Sequence, residues 1–346
     1  MTRTLVVQTA WLGDVLLTTP LLDVLAARDG RVDVLVTPDA APLLVPHPAV
    51  AHVLTYDKRG RERGVVALWR KARALRARGY DVAVLAQGSF RSGLLARAAG
   101  IPHRIGFADD AAAWWCTERR ARPAGHEAVR LLALADGTAR GTVAGVEAMV
   151  GVDPREIPRA LSLALTDDDR AAATAALAAA GVTGSFVALA PGSARPTKRW
   201  PFYRELATML AADIPVVVIG RSGDGWGPAS GGRGVADLAG LPLRTSAALL
   251  ARAAVAVVND SAPLHMAQAV GTPVVALFGP THPRLGFGPR GPRDVILGLD
   301  LECRPCSAHG GARCPLRHHR CLRALSATTV LDAVRQVLAP REVSCV

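Results

Sequence analysis

Four short segments of the chain carry residue types whose spacing could do chemistry. The first is Leu12-Gly13-Asp14-Val15, which follows an apolar run at Thr4–Gln8. Gly13 permits a tight turn with close backbone approach to a ligand. The Asp14 carboxylate could take a proton from a sugar hydroxyl, and the same Asp before a helix is also an ordinary cap. The second is the loop Pro191-Gly192-Ser193-Ala194-Arg195-Pro196-Thr197-Lys198-Arg199-Trp200-Pro201. Backbone N–H groups, the Ser193 hydroxyl and the Lys198 ammonium together suit a diphosphate; otherwise it is a solvated basic loop.

The third segment, Val258-Asn259-Asp260-Ser261-Ala262-Pro263-Leu264-His265, ends a strand and starts a helix. It offers a second anion site at the helix start, with Ser261 adding a hydroxyl and His265 one turn on. An Asp/Ser cap over a packed core histidine would read the same way. The fourth is Cys303-x2-Cys306-x7-Cys314-x6-Cys321, with His309, His318 and His319 nearby. Four thiolates could hold a tetrahedral zinc, although the spacing is looser than a ribbon or finger, and reduced cysteines in a loop compete with that reading. Neither G-x-G-x-x-G nor G-x-x-x-x-G-K occurs at these loops, so dinucleotide and P-loop sites are not indicated. Asp168-Asp169 in TDDDR reads as a helix cap.

The elements that must position these segments alternate strand and helix. Strands are expected at Thr4–Gln8, Val32–Val36, Val53–Tyr56, Asp81–Ala86, Phe186–Ala190, Pro215–Gly220, Val255–Asn259 and Pro273–Phe278. Helices are expected at Val15–Ala27 with Asp14 as N-cap, Val65–Arg78, Gly88–Ala99, Thr166–Ala180, Phe202–Asp213, Ser246–Ala254, His265–Val270 and Thr328–Leu338. Strands separated by helices imply right-handed parallel βαβ units. The grammar starts afresh near residues 155–168, so an α/β chain of two doubly wound halves is expected, with ligands at strand C-terminal edges. The expected organisation is 1–160, 161–325 and a C-terminal helix and tail at 326–346.

Composition narrows the function. The 346 residues are half apolar and 20% charged, enough to bury a sizeable core, and no segment approaches the ~20 apolar residues of a membrane span. The start reads poorly as a secretory signal, and six cysteines in so long a chain do not make a disulfide scaffold. A cytoplasmic protein is expected. Lys+Arg number 41 against 29 Asp+Glu, and Lys58, Lys71 and Lys198 are the only lysines. A basic surface favours anionic partners. Aromatics at 4% supply no base-stacking platform, and no nucleic-acid motif is recognisable, so nucleic acid is not expected as a partner.

Taken together, the segments resemble glycosyltransferase family 9, the ADP-heptose:lipopolysaccharide heptosyltransferases, and most of all its type II members. The resemblance is carried by QTAWLGDVLLTTPLLDVL at the start, QGSFRSGLLARAAGIPHRIGF, PGSARPTKRWP, NDSAPLHMAQAVGTPVVALFGPTHP and the Cys-rich tail. It runs nearly end to end, with the motifs in order. It implies a GT-B fold, two Rossmann-like parallel-sheet domains facing across a cleft. It implies inverting transfer of L-glycero-D-manno-heptose from ADP-heptose to the lipopolysaccharide inner core, with no cofactor or metal required. Peripheral contact with the cytoplasmic face of the inner membrane is implied as well.

Carried over position by position, Asp14 matches the family's general base and Lys198 the lysine that steadies the departing diphosphate. Gly13, Ser193, Asp260, Ser261, Leu264 and His265 match donor-binding positions, and Arg91, Arg104 and His126 stand as candidates for the anionic acceptor. Two residues depart from the pattern: Ala262 where the family usually has Gly, and Trp11 where a small hydroxyl residue is common. Two other readings compete, a nucleotide-sugar epimerase on the same fold and a non-catalytic basic module that binds polyanions.

Overall fold

The computed structural model describes residues 2–135, 160–224, 226 and 233–339. The chain divides into two compact units, residues 1–164 and 165–346. Residues 155–159 of the expected junction and 340–346 of the expected tail lie outside the described residues.

The first unit runs β1 (Thr4–Gln8), α1 (Leu12–Leu17), α2 (Thr19–Asp29), β2 (Val32–Val36), α3 (Ala41–Leu44), β3 (Val50–Thr55), α4 (Val65–Arg76), β4 (Val82–Val84), α5 (Phe90–Ala98), β5 (His103–Phe107), β6 (Glu118–Arg120) and α6 (Glu127–Leu132). Its strands form one six-stranded sheet in the order β3-β2-β1-β4-β5-β6, parallel at every pairing. The second unit runs α7 (Asp167–Ala179), β7 (Val187–Ala190), α8 (Tyr203–Leu210), β8 (Val216–Val218), β9 (Val235–Asp237), α9 (Leu243–Arg252), β10 (Val255–Asn259), α10 (Ala262–Ala269), β11 (Val274–Leu277), β12 (Val295–Leu297), α11 (Arg320–Arg323) and α12 (Ala327–Leu338). Its sheet has the order β12-β11-β10-β7-β8-β9, again parallel throughout. Renumbered from its own first strand, the second sheet has the same winding as the first. Each sheet reverses its strand order at one place, between β1 and β4 and between β7 and β10, and an open α/β sheet binds its ligands at such a reversal.

Burial explains why these runs are strands. β1, β2, β7, β10 and β11 are buried at every residue, as a parallel sheet covered by helices on both faces requires. α9 and α10 are buried almost all round, whereas α8 and α12 bury one stripe each. In α8 it is Tyr203, Leu206, Ala207 and Leu210, and in α12 Val330, Leu331, Val334 and Val337. Those two stripes share one core with Val187, Val255 and Val275 of the second sheet, so α12 is part of that unit's core.

Local corrections concern helix starts and short strands. The N-terminal helical run begins at Leu12 with Trp11 as N-cap, so Asp14 is an in-helix residue of the first turn and not the cap. The run breaks at Thr18, where α2 restarts with Pro20 in its first turn; a proline lacks the N–H that would continue the ladder but fits a first turn. Strands β5, β6, β9 and β12 were not anticipated. Three of them are only three residues long, and β6 reads Glu-Arg-Arg. Among the described residues, no helix is long and apolar enough to cross a membrane.

Candidate functional site

In the second unit, β7 and β10 are neighbours in register, Ala190 beside Val258, so the loops leaving them emerge side by side. Asn259 ties them together. Its side-chain amide donates to the Pro191 carbonyl at 2.9 Å, and its carbonyl accepts the Trp200 N–H at 3.2 Å. Ser261 donates to the Gly192 carbonyl at 3.3 Å. Gly192 has no room for a side chain, since a Cβ there would lie 2.2 Å from Asp224 Oδ2.

Within this frame Lys198 donates to Asp260 Oδ2 at 2.6 Å, and Thr281, in the loop after β11, donates to the same oxygen at 2.6 Å. Lys198 keeps 13% of its side chain exposed and Asp260 7%. The ammonium is therefore held and partly desolvated, yet accessible. His265 lies behind the pair, wholly buried, and burial pushes its pKa down to about 4, against the pull of Asp260. The ring is neutral at neutral pH, and its Nδ1 has no hydrogen-bond partner among the described residues. Ser261 is the N-cap of α10, with its hydroxyl turned to the Gly192 loop and not to its own helix. Ala262 is the first helical residue and does not adopt a positive φ, so the departure from Gly carries no backbone strain there. Leu264 is fully buried, and its N–H is spent on the Ser261 carbonyl. It supports the helix start from within the core.

The Cys-rich segment proves to be a clamp on the lysine loop. Thr197 donates to the Gly311 carbonyl at 2.8 Å and accepts the Gly311 N–H at 2.9 Å, while His319 Nε2 meets the Thr197 carbonyl at 3.0 Å. A Cβ on Gly310 would lie 3.0 Å from the Lys198 methylenes. Arg304 pins the same segment to the loop after β11 through the carbonyls of Phe278 and Thr281, at 2.8 and 2.9 Å. The cysteines Cys303, Cys306, Cys314 and Cys321 are unpaired thiols. Cys306 donates to the Cys303 carbonyl at 3.0 Å, and no cluster of three or more metal-type side chains is present among the described residues.

The first unit builds a polar cluster at its own strand reversal. Gln87, just past β4, accepts at Oε1 from Lys58 at 2.9 Å, Thr9 at 3.1 Å, Ser89 at 3.0 Å and Ser92 at 2.7 Å. Burial and the nearby Arg59 and Arg91 lower the Lys58 pKa to about 8. Sequence reasoning missed Lys58, Gln87 and Thr281; the first sits in an ordinary-looking run of cations, and the other two are single polar residues with no motif. Asp14 accepts the Trp11 N–H at 3.1 Å, which is the bond of a capping carboxylate. Gly13 is buried inside α1.

The three acceptor candidates are not brought together. Arg91 spends its guanidinium on the Tyr56 hydroxyl at 2.6 Å and the Glu62 and Gly64 carbonyls at 2.6 and 3.1 Å. Arg104 donates to the carbonyls of Trp115 at 2.6 Å and Pro102 at 3.1 Å. His126 caps α6 by accepting the Ala128 N–H. All three hold backbone in place.

Comparison with known proteins follows the same geography. The model of the family described as glycosyltransferase family 9 (heptosyltransferase) matches residues 68–314. Lipopolysaccharide heptosyltransferase 1 of Pseudomonas aeruginosa is 30% identical over 325 residues, covering 88% of this chain and 86% of that protein. The match to a lipooligosaccharide heptosyltransferase 2 of Campylobacter jejuni, 31% identical, spans only 26% of that protein's length. Among solved structures, a glycosyl transferase family 9 protein of Veillonella parvula superposes with a TM-score of 0.80 at 22% identity, covering 97% of both chains. The ADP-heptose lps heptosyltransferase II of E. coli superposes with a TM-score of 0.77 at 24% identity, covering 97% of this chain and 98% of that one. These structures share the two-sheet fold.

Proposed function

The chain belongs to glycosyltransferase family 9, the heptosyltransferases, with the two Rossmann-like sheets of the GT-B class, and on that premise we propose that it transfers L-glycero-D-manno-heptose from ADP-heptose to the inner core of lipopolysaccharide. The observation that carries the reading is the Lys198–Asp260 pair, set between the loops that leave β7 and β10. A carboxylate-paired ammonium, an adjacent helix start at Ser261 and the glycine-backed Ser193 loop suit a diphosphate whose charge grows as it departs.

In the proposed step the acceptor hydroxyl oxygen attacks the anomeric carbon from the face opposite ADP. The new C–O bond forms as the bond to the phosphate oxygen breaks with its electron pair, and the configuration inverts. Asp14 takes the hydroxyl proton. Lys198 turns from Asp260 toward the leaving phosphate and stabilises its charge. Ser193, Asp260, Ser261, Leu264 and His265 shape the two loops and the helix start beside them, and Gly13 lies next to Asp14 in α1. An anionic acceptor group suits the Lys58–Gln87 cluster, with Arg91, Arg104 and His126 holding the surrounding backbone. No cofactor or metal enters this scheme. The place of action is the cytoplasm, at the membrane face where a lipid-anchored acceptor is presented.

The test is a set of nucleotide-heptose donors against truncated lipopolysaccharide acceptors, with and without chelator, read by mass spectrometry of the acceptor. Heptose transfer from the ADP donor supports the reading. Release of no ADP with any acceptor sinks it, and isomerised sugar in the donor-only arm would make the protein an epimerase.

A further inference from the structure

Residues 58–80 hold nine Lys and Arg against the single acid Glu62, a net excess of eight out of the chain's twelve. Within that stretch lies α4, which has two unlike faces. Ala67, Leu68, Ala72 and Leu75 are buried on the sheet, whereas Val65, Val66 and Trp69 stand 71%, 81% and 55% exposed. Arg70 and Arg73 flank them, also exposed, and Arg59, Arg61 and Arg63 rise from the preceding loop.

The surroundings extend this face. Arg91, the second residue of α5, bonds the Glu62 and Gly64 carbonyls just ahead of α4 and so fastens the loop that carries the arginines. Arg59 lies over the Trp11 ring at 4.2 Å, and Trp11 is itself half exposed. Glu62 is neutralised by Lys71 at 3.0 Å, so its charge does not oppose an anion. A soluble surface gains nothing by exposing two valines and a tryptophan on one helix face. An apolar stripe rimmed by arginines is the pattern of a helix lying in the headgroup layer of an anionic bilayer.

We propose that the start of α4, with the arginine loop before it, is a docking surface for an anionic lipid bilayer, Val65, Val66 and Trp69 entering the headgroup layer and Arg59, Arg61, Arg63, Arg70 and Arg73 meeting lipid phosphates. The inference rests on the functional reading only for its purpose. It would set the Lys58–Gln87 cluster, tied to the same loop, at the height of sugars projecting from the membrane.

The test is flotation of the full chain with vesicles of phosphatidylethanolamine and phosphatidylglycerol against pure phosphatidylcholine, which needs no turnover. The expected result is binding to the anionic vesicles, weakened at least tenfold in a Val66→Ser/Trp69→Ser double variant and in an Arg70→Gln/Arg73→Gln double variant. Leu316→Ser, an exposed apolar residue of the second unit, leaves binding unchanged. All three are checked for unaltered melting temperature. Both double variants retain turnover on a lipid-free acceptor; absence of turnover in every chain would fault the functional reading and leave the vesicle result standing. Binding that ignores the Val66→Ser/Trp69→Ser change would show a merely electrostatic polyanion surface and overturn the proposal, as would equal binding to phosphatidylcholine or none to either vesicle.

Discussion

Lys198 Nζ and Asp260 Oδ2 lie 2.6 Å apart, joining loops 62 residues apart in sequence. Thr281 donates to the same carboxylate oxygen. The lysine is thereby fixed by a carboxylate that a threonine hydroxyl fixes in turn, and the proposed role of Lys198 rests on this arrangement.

Lys198→Ala is expected to lower kcat/KM by roughly 10²–10³, the scale of removing one donor to a developing anion. It also strands Asp260, a 7%-exposed carboxylate, so the melting temperature should drop as well. Asp260→Asn separates the two effects, because it keeps a polar partner for Thr281 while releasing the ammonium. Its activity should stay above that of Lys198→Ala. Steady-state kinetics and thermal melts of both variants check this, and equal activity in Lys198→Ala and the parent would leave the loop with a structural role only.

Asp14→Asn should reduce turnover by roughly 10²–10⁴ while donor KM stays near the parent value, as loss of a general base does. An asparagine oxygen can still accept the Trp11 N–H that Asp14 accepts at 3.1 Å. The start of α1 should therefore survive, and the melting temperature should move little. A parent-like kcat would take Asp14 out of the chemistry and leave it as the carboxylate that accepts the Trp11 N–H.

His265 makes an acid-side prediction. Its ring is neutral in the folded chain down to about pH 4, while an unfolded histidine takes its proton near 6.5. Between those values the unfolded chain binds more protons, so this stability is full above pH 6.5 and falls with pH, by about 3 kcal/mol at most. Asp23 acts in the opposite sense, since burial raises its pKa to about 6 and the folded chain keeps a proton the unfolded chain loses. Other groups add to each side, His47 and His282 with His265 and Asp110 with Asp23, so the prediction is read from the difference between variant and parent. Urea melts of His265→Gln from pH 7 to 4 should show a shallower loss of stability than the parent; an identical slope would deny the buried neutral ring.

Cys314 should be the fastest of Cys116, Cys306, Cys314 and Cys321 to react with iodoacetamide at neutral pH. Backbone N–H groups around it, that of His319 foremost, favour its thiolate and lower its pKa. Burial raises the other three, Cys116 to about 11, and the thiolate is the reactive form. Because His319 also holds the Thr197 carbonyl beside Lys198, labelling should cost activity in the parent and not in Cys314→Ser. Peptide mass spectrometry with a parallel activity assay reads both.

How much could be read beforehand depended on what each residue's neighbours supply. Thr4–Gln8, Val32–Val36 and Val255–Asn259 are strands to the residue, because buried β-branched runs have one comfortable conformation. Trp11 gave no warning that it caps α1, having no oxygen to offer a backbone N–H. Glu118–Arg120 is a strand only because β5 lies beside it. Lys198 and Asp260 were each visible in a motif, yet their bond depends on the pairing of β7 with β10, which no local pattern encodes. The cysteines drew attention to metal chemistry, while the contacts that matter in that segment come from Gly310, Gly311 and His319, whose roles follow from what they touch.

The matched winding of the two sheets has a consequence for how such a protein can change. Each half carries its own notch, one lined by Thr9, Lys58, Gln87, Ser89 and Ser92, the other by Gly192, Lys198, Asn259, Asp260 and Thr281. No side chain serves in both sets. If the proposed roles hold, substitutions around Gln87 would alter acceptor preference while leaving the groups around Lys198 as they are, so that one inherited half could be kept constant while the other diversifies.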